Sequence, residues 1–271
     1  MKFKSIFIFF NIVLVFSFSF IFLMPLFAVG LTFALDFWMK NWYMGVIFLL
    51  VLGGLDGFFF YQWKLFQLLE KEDWQALRSY LEGEIFEKSK ITGQNIRFYI
   101  NACLLTAQAS DIHKLRTFVQ DKAPSLARKW ALSLGIPLIL EGKSDPIVQY
   151  FGGLRNIKGV KEQPWIKWAF SFGLLLGQAL GKLKDELWPL TDPKNIPSLR
   201  LLSYYLLNNI SSGDPEIAPR LDKEIPRFRA LMSRIEWEKH LEKARDKYLL
   251  LVFLNRFVDE ALDWLFSTPA R

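Results

Sequence analysis

The stretch LLVLGGLDGFFFYQWK, residues 49–64, sets one carboxylate, Asp56, in an apolar and aromatic run beside three glycines. A carboxylate well inside such a run needs a hydrogen-bond donor, an ion or water at the boundary of the run, because burying it alone is costly. Asn11 is the other strongly polar side chain deep in an apolar run, and an antiparallel hairpin sets it level with Asp56. The expected chemistry is therefore structural: an Asn11 amide donating to Asp56, with Gly53 and Gly57 forming a small-xxx-small pair that lets two helices approach closely. The competing uses are an ion or proton path and an interfacial anchor. The other chemistry-bearing residues are sparse. Of two histidines, His113 lies in the exposed part of DIHKLR, and His240 follows Glu236 by one turn in EWEKHLEK. A metal site needs three or four ligands, so no metal ligand set is assigned. The single cysteine, Cys103, sits in the apolar pattern INACLLTAQ and reads as a small core residue. EGKS at 141–144 matches the end of a phosphate-binding loop, but Pro137 stands where its first glycine belongs and no strand precedes it. The loop GGLRNIKGVKEQPW, residues 152–165, spaces Arg155, Lys158 and Lys161 among glycines and could hold an anion, or simply join two helices. No catalytic residue and no cofactor follow from these residues.

The elements that position them begin with two long charge-free runs. From Ser5 to Leu35 no side chain is charged, and a second such run, Tyr43 to Leu55, continues past Asp56 to Trp63. About 20 apolar residues cross a hydrocarbon core as a helix. The expectation is a two-helix transmembrane hairpin over residues 1–64, with spans of about 5–35 and 43–63 and the connection at DFWMKNW. The first run also begins like a signal peptide, but it exceeds the usual apolar core of one and FAVGL is a poor cleavage site. Lys2 and Lys4 precede the first span, Lys40 alone lies between the spans, and Lys64, Lys71 and Arg78 follow. The positive-inside rule then places both ends in the cytoplasm, with the chain in the cell inner (cytoplasmic) membrane as a multi-pass protein.

The formal charge of +7 is diluted beyond residue 64, where 30 basic and 25 acidic residues share 207 positions. This mild excess suits a neighbourhood of anionic lipid better than a nucleic-acid groove. Apolar residues there recur at helical spacing, as in Trp74, Leu77, Tyr80, Leu81 and Ile85, and no stretch alternates as a strand would. Leucine-rich segments run repeatedly into turns closed by an aspartate: Asp73, Asp111, Asp145, Asp185 and Asp214, at intervals of 38, 34, 40 and 29 residues. Each is expected to cap the N-terminus of the next helix.

A period in the thirties with two helices per unit marks a helical-repeat array. DWQALRSYL, with Trp74 and Leu77 at the Trp-x-x-Leu spacing, and DIHKLRTFV, with Leu115, Phe118 and Val119, resemble tetratricopeptide (TPR) repeats. Arg78 and Leu81 depart from that pattern, which prefers Gly and Tyr there. The resemblance covers residues 72–215 and implies an all-α, TPR-like α-solenoid over 65–228, closed by a C-terminal capping helix or helices over 229–271. It further implies a non-catalytic role: a membrane-anchored scaffold or adaptor that binds protein partners through the repeat surface in a cell-envelope assembly, touching membrane lipid but no nucleic acid, with oligomerisation left open. The alternatives are a membrane-bound enzyme, or an accessory subunit of a transport or secretion complex.

Overall fold

The computed structural model describes residues 3–267 and is almost wholly helical, with no strand among them. Two compact units divide the chain at Met1–Lys88 and Ser89–Arg271. The boundary falls at 88/89, not at 64/65, because the helices that follow the apolar pair pack back onto it.

In the first unit, helix α1 spans Phe3–Val29 and α2 spans Leu31–Tyr61. The reversal occurs at one residue, Gly30, whose φ of 99° and ψ of 172° suit a residue without Cβ. The connection expected at DFWMKNW is thus displaced. Asp36 and Lys40, one helical turn apart, pair at 2.9 Å on an exposed face, so their charges sit on a helix without needing a loop. Asn41 has φ −118° and ψ 21° and kinks α2, its amide donating to the Phe37 carbonyl at 2.9 Å. Aromatic side chains set the antiparallel register: Phe18 stacks on Phe48 at 3.8 Å and Phe7 meets Phe59 at 5.1 Å. Near the turn, Trp38 Nε1 donates to the Phe22 carbonyl at 2.9 Å. Both helices are long and apolar enough to cross a membrane. Helices α3 (Trp63–Glu70) and α4 (Trp74–Glu82) complete the unit, followed by one wider turn at Gly83–Glu87, and bury Leu65, Leu77, Leu81 and Ile85.

The second unit carries α5 (Gly93–Leu105), α6 (Ala109–Lys122), α7 (Pro124–Lys129), α8 (Ala131–Glu141), α9 (Ser144–Leu154) and α10 (Gln163–Leu176). There follow α11 (Leu180–Leu187), α12 (Pro197–Ile210), α13 (Ile217–Arg229), α14 (Arg234–Lys247), α15 (Leu249–Phe253) and α16 (Asn255–Ser267). Its centre is α12, buried on nearly every side through Leu199, Leu201, Leu202, Leu206 and Leu207. A helix with leucines all round is surrounded by protein. Its neighbours are α10, α11, α13, α14 and α16. The chain also returns on itself, with α15 against α8 and α16 against α12, whereas in a linear array each repeat meets only the next. The segment 229–267 therefore contributes Trp237, Leu251, Val258 and Leu265 to the common core, beyond what an end cap supplies. The two segments with TPR spacing, α4 and the first turns of α6, fall in different units.

Candidate functional site

The side chains singled out at the apolar hairpin do not converge as expected. Asn11 Nδ2 donates to its own helix, at the Phe7 carbonyl, 3.2 Å away, while Asp56 Oδ1 is buried without a hydrogen-bond partner. An amide four residues from a carbonyl is already satisfied locally, so it has no need to cross to α2. A Cβ built on Gly53, Gly54 or Gly57 meets nothing within 4 Å, so these glycines do not mediate the α1–α2 approach. Aromatic stacking does that work. Asp56 and Gly57 instead line an open, mostly apolar cavity of about 590 Å³ with Lys4, Phe7 and Trp63.

The aspartates also part ways. Asp73 is the N-cap of α4, its carboxylate accepting from Ala76 N at 3.0 Å. Asp111 is buried in the first turn of α6, 3.4 Å from Lys114. Asp145 lies within the first turn of α9, and Asp185 lies in the last turn of α11. Asp214 accepts from Glu216 N at 2.9 Å in the turn before α13 and pairs with Lys184 at 2.8 Å. Each leucine-rich segment ends before its aspartate by a variable number of residues, so only one aspartate falls on a true cap. Thr92 caps α5, and Ser233 with Glu236 forms a reciprocal capping box on α14, a signal readable in the S-x-x-E of SRIE. Asp73→Ala is accordingly expected to cost about 0.5–2 kcal/mol in thermal unfolding. Asp185→Ala, whose carboxylate caps no helix, is expected to change stability by less than roughly 0.5 kcal/mol.

Among the described residues no group of three or more His, Cys, Asp or Glu gathers around either histidine. His113 meets Glu141 at 2.7 Å. Glu236 is engaged with Ser233 and does not reach His240, whose ring packs on Trp237 and whose pKa is lowered by burial and then by Lys243. EGKS is a helix corner: Gly142 ends α8 in the left-handed region, and Ser144 Oγ opens α9 by donating to the Gly173 carbonyl at 2.9 Å.

Two cavities in the second unit do gather charged side chains. In the first, of about 770 Å³, the Arg220 guanidinium lies 3.8 Å over the Trp188 ring and donates to Glu224 at 2.8 Å. Tyr204 donates to the same carboxylate at 2.7 Å, and the buried Arg200 donates to the Thr191 carbonyl at 3.0 Å. Burial, then the Glu224 hydrogen bond and charge, push the Tyr204 pKa up. This network is largely self-satisfied, and it ties α12 to α13.

The second, of about 350 Å³, is unbalanced. Helix α5 supplies Arg97, the α7–α8 corner Lys129 and Trp130, the segment before α10 Lys161 and Glu162, and the α14–α15 junction Arg245 and Lys247. Arg245 pairs with Asp259 at 2.7 Å. Glu162 holds a left-handed backbone (φ 62°, ψ 39°), and burial pushes its carboxyl above the usual range against the opposing charges of Lys161 and Lys247. Of the three cations in the loop 152–165, Lys161 alone reaches this cavity; Arg155 is taken up by Glu186 at 2.6 Å and by the Phe170 ring. Sequence reading could not assemble the set, because its members lie 150 residues apart, from Arg97 to Lys247.

Comparison with known proteins places this unit among relatives. Residues 111–267 match a family model described as "Uncharacterised Treponema protein". A Treponema pallidum (strain Nichols) protein, described as "Uncharacterized protein", is 24% identical over 233 residues, which cover 82% of this chain and 74% of that protein. That likeness is longer than the segment the family model matches. No solved structure matches.

Proposed function

The chain belongs to the family of uncharacterised Treponema proteins, and we propose that it is a membrane-tethered helical scaffold or adaptor, recruiting a protein partner to a cell-envelope assembly. The observation that carries this reading is the contrast between the two units. Apolar side chains along α1 and α2 stand open, Phe16 at 71% and Leu50 at 70% exposure, while Ser89–Arg271 buries its own Trp and Leu core. Exposed apolar helices of that length are covered by lipid or by protein. A separately cored unit attached to such an anchor gains local concentration at the membrane. The TPR-like reading is supported by successive packing of α8 on α9 and α9 on α10, and it weakens from α12 onward, where α16 folds back.

The proposed location is the cytoplasmic membrane, with the second unit on the cytoplasmic side. Lys4 in the first turn of α1 and Lys64, Lys71 and Arg78 after α2 favour that orientation; Lys2 lies outside the described residues. A reporter fused after Arg271, a residue also outside the described ones, is expected to be active only in the cytoplasm. Activity of an exported reporter at that position overturns the orientation. Purification of the full chain in mild detergent is expected to retain a stoichiometric protein partner, and its recovery alone under those conditions counts against the adaptor role.

A further inference from the structure

We propose that the cavity between α5, the α7–α8 corner and the α14–α15 junction is a binding site for a phosphate group carried by a small molecule or a lipid headgroup. Five cations, Arg97, Lys129, Lys161, Arg245 and Lys247, line it against two carboxylates, Glu162 and Asp246. Gathering like charges in one recess is self-repulsive, and an anion relieves that repulsion. Only Arg245 has a carboxylate at ion-pair distance; among the described residues, Arg97, Lys129, Lys161 and Lys247 have none.

The chemistry of the lining points to the same need. Ammonium and guanidinium groups offer donors and no acceptor. A cation would add to the repulsion and a neutral ligand would leave it in place, whereas a phosphate brings several strong acceptors with charge. Size narrows the class further. A volume of about 350 Å³ stands at the small end of ligand pockets, roughly 300–1,000 Å³, which suits a phosphorylated small molecule or headgroup and not a duplex. Glu162, strained into the left-handed region at the cavity wall, marks a backbone held away from its preferred conformation at the site.

This inference does not depend on the scaffold reading, since a partner-binding surface and an anion recess can coexist or fail separately. The test is calorimetric titration of the full chain in neutral detergent with inorganic pyrophosphate and, in parallel, with glycerophosphoglycerol, the deacylated form of an anionic headgroup. Saturable one-to-one binding is expected, weakening as salt rises. The double substitution Lys129→Gln, Lys161→Gln should weaken it by about tenfold or more, and both lysines are exposed, so the fold is left intact. Lys182→Gln with Lys223→Gln, exposed lysines outside the cavity, should leave it unchanged. Tighter binding of pyrophosphate identifies a soluble phosphorylated ligand, and tighter binding of glycerophosphoglycerol identifies lipid; either supports the site. Absence of saturable binding to both probes, or affinity that the double substitution leaves within about twofold, overturns the proposal.

Discussion

Gly135→Leu is expected to lower the thermal midpoint of the Ser89–Arg271 unit by roughly 2–12 °C, while Gly53→Leu leaves it unchanged. A Cβ built on Gly135 collides with the Phe151 ring and comes within 2.7 Å of Tyr150 Cε1. Neither ring can yield: Phe151 is fully buried, and Tyr150 is held by its hydroxyl donating to the Ala131 carbonyl at 2.9 Å. Gly173 of α10 is as tight, its Cβ position lying 2.6 Å from Ile147 Cγ2, one helical turn before Phe151 on α9. Overpacking by one side chain costs about 1–3 kcal/mol, and a domain of this size shifts by about 2–4 °C per kcal/mol. At Gly53 a side chain enters open space, so only a helix-propensity gain is expected there. The check is circular dichroism melting of the full chain in detergent. A loss at Gly53 comparable to that at Gly135 would show that α2 packs through its glycines against another helix after all.

That reversal of expectation shows which parts of the structure are legible in the sequence. Charge-free runs and 3.6-residue spacing identify the two long apolar helices and the all-helical remainder, because burial and hydrogen bonding within a segment are local properties. Turn position is less local. Asp36 and Lys40 look like a loop between spans, yet they pair on a helix, and Gly30, embedded in an uninterrupted apolar run, makes the reversal. Close approach is not local at all: GG at 53–54 looks like a packing face, while Gly135, inside SLGIP, carries no mark of being pressed against Phe151. The same holds for the basic cavity. Lys161 sits in a visibly loop-like stretch, but Arg97, Lys129 and Lys247 lie on helices whose charge reads as ordinary solvated surface until the fold brings them together.

Removing residues 249–271 is expected to abolish cooperative unfolding of the second unit, which separates a core role for this segment from that of a detachable cap. Leu250, Leu251, Val258, Ala261, Leu262 and Leu265 are buried there to 5% exposure or less. Burial of these side chains is opposed by the entropy of ordering the segment's own backbone, about 1–2 kcal/mol per residue. What decides the outcome is the surface left behind. Phe257 packs on Trp168, Phe172 and Tyr205, with ring centroids 6.1, 6.1 and 5.1 Å away, and Trp264 covers Tyr205 at 5.7 Å. Those rings on α10 and α12 stay with the truncated chain and lose their cover with no entropy regained. Truncating one buried aromatic side chain to alanine costs about 3–5 kcal/mol, and a native domain holds only about 5–15 kcal/mol in all. Uncovering three rings and the α15 face of α8 together therefore consumes most of that margin. Trp168→Ala in the intact chain provides the graded form of the same test, with an expected loss of about 3–5 kcal/mol. A truncated chain that still melts in one sharp transition, within about 5 °C of the full chain, would return the segment to the status of a cap.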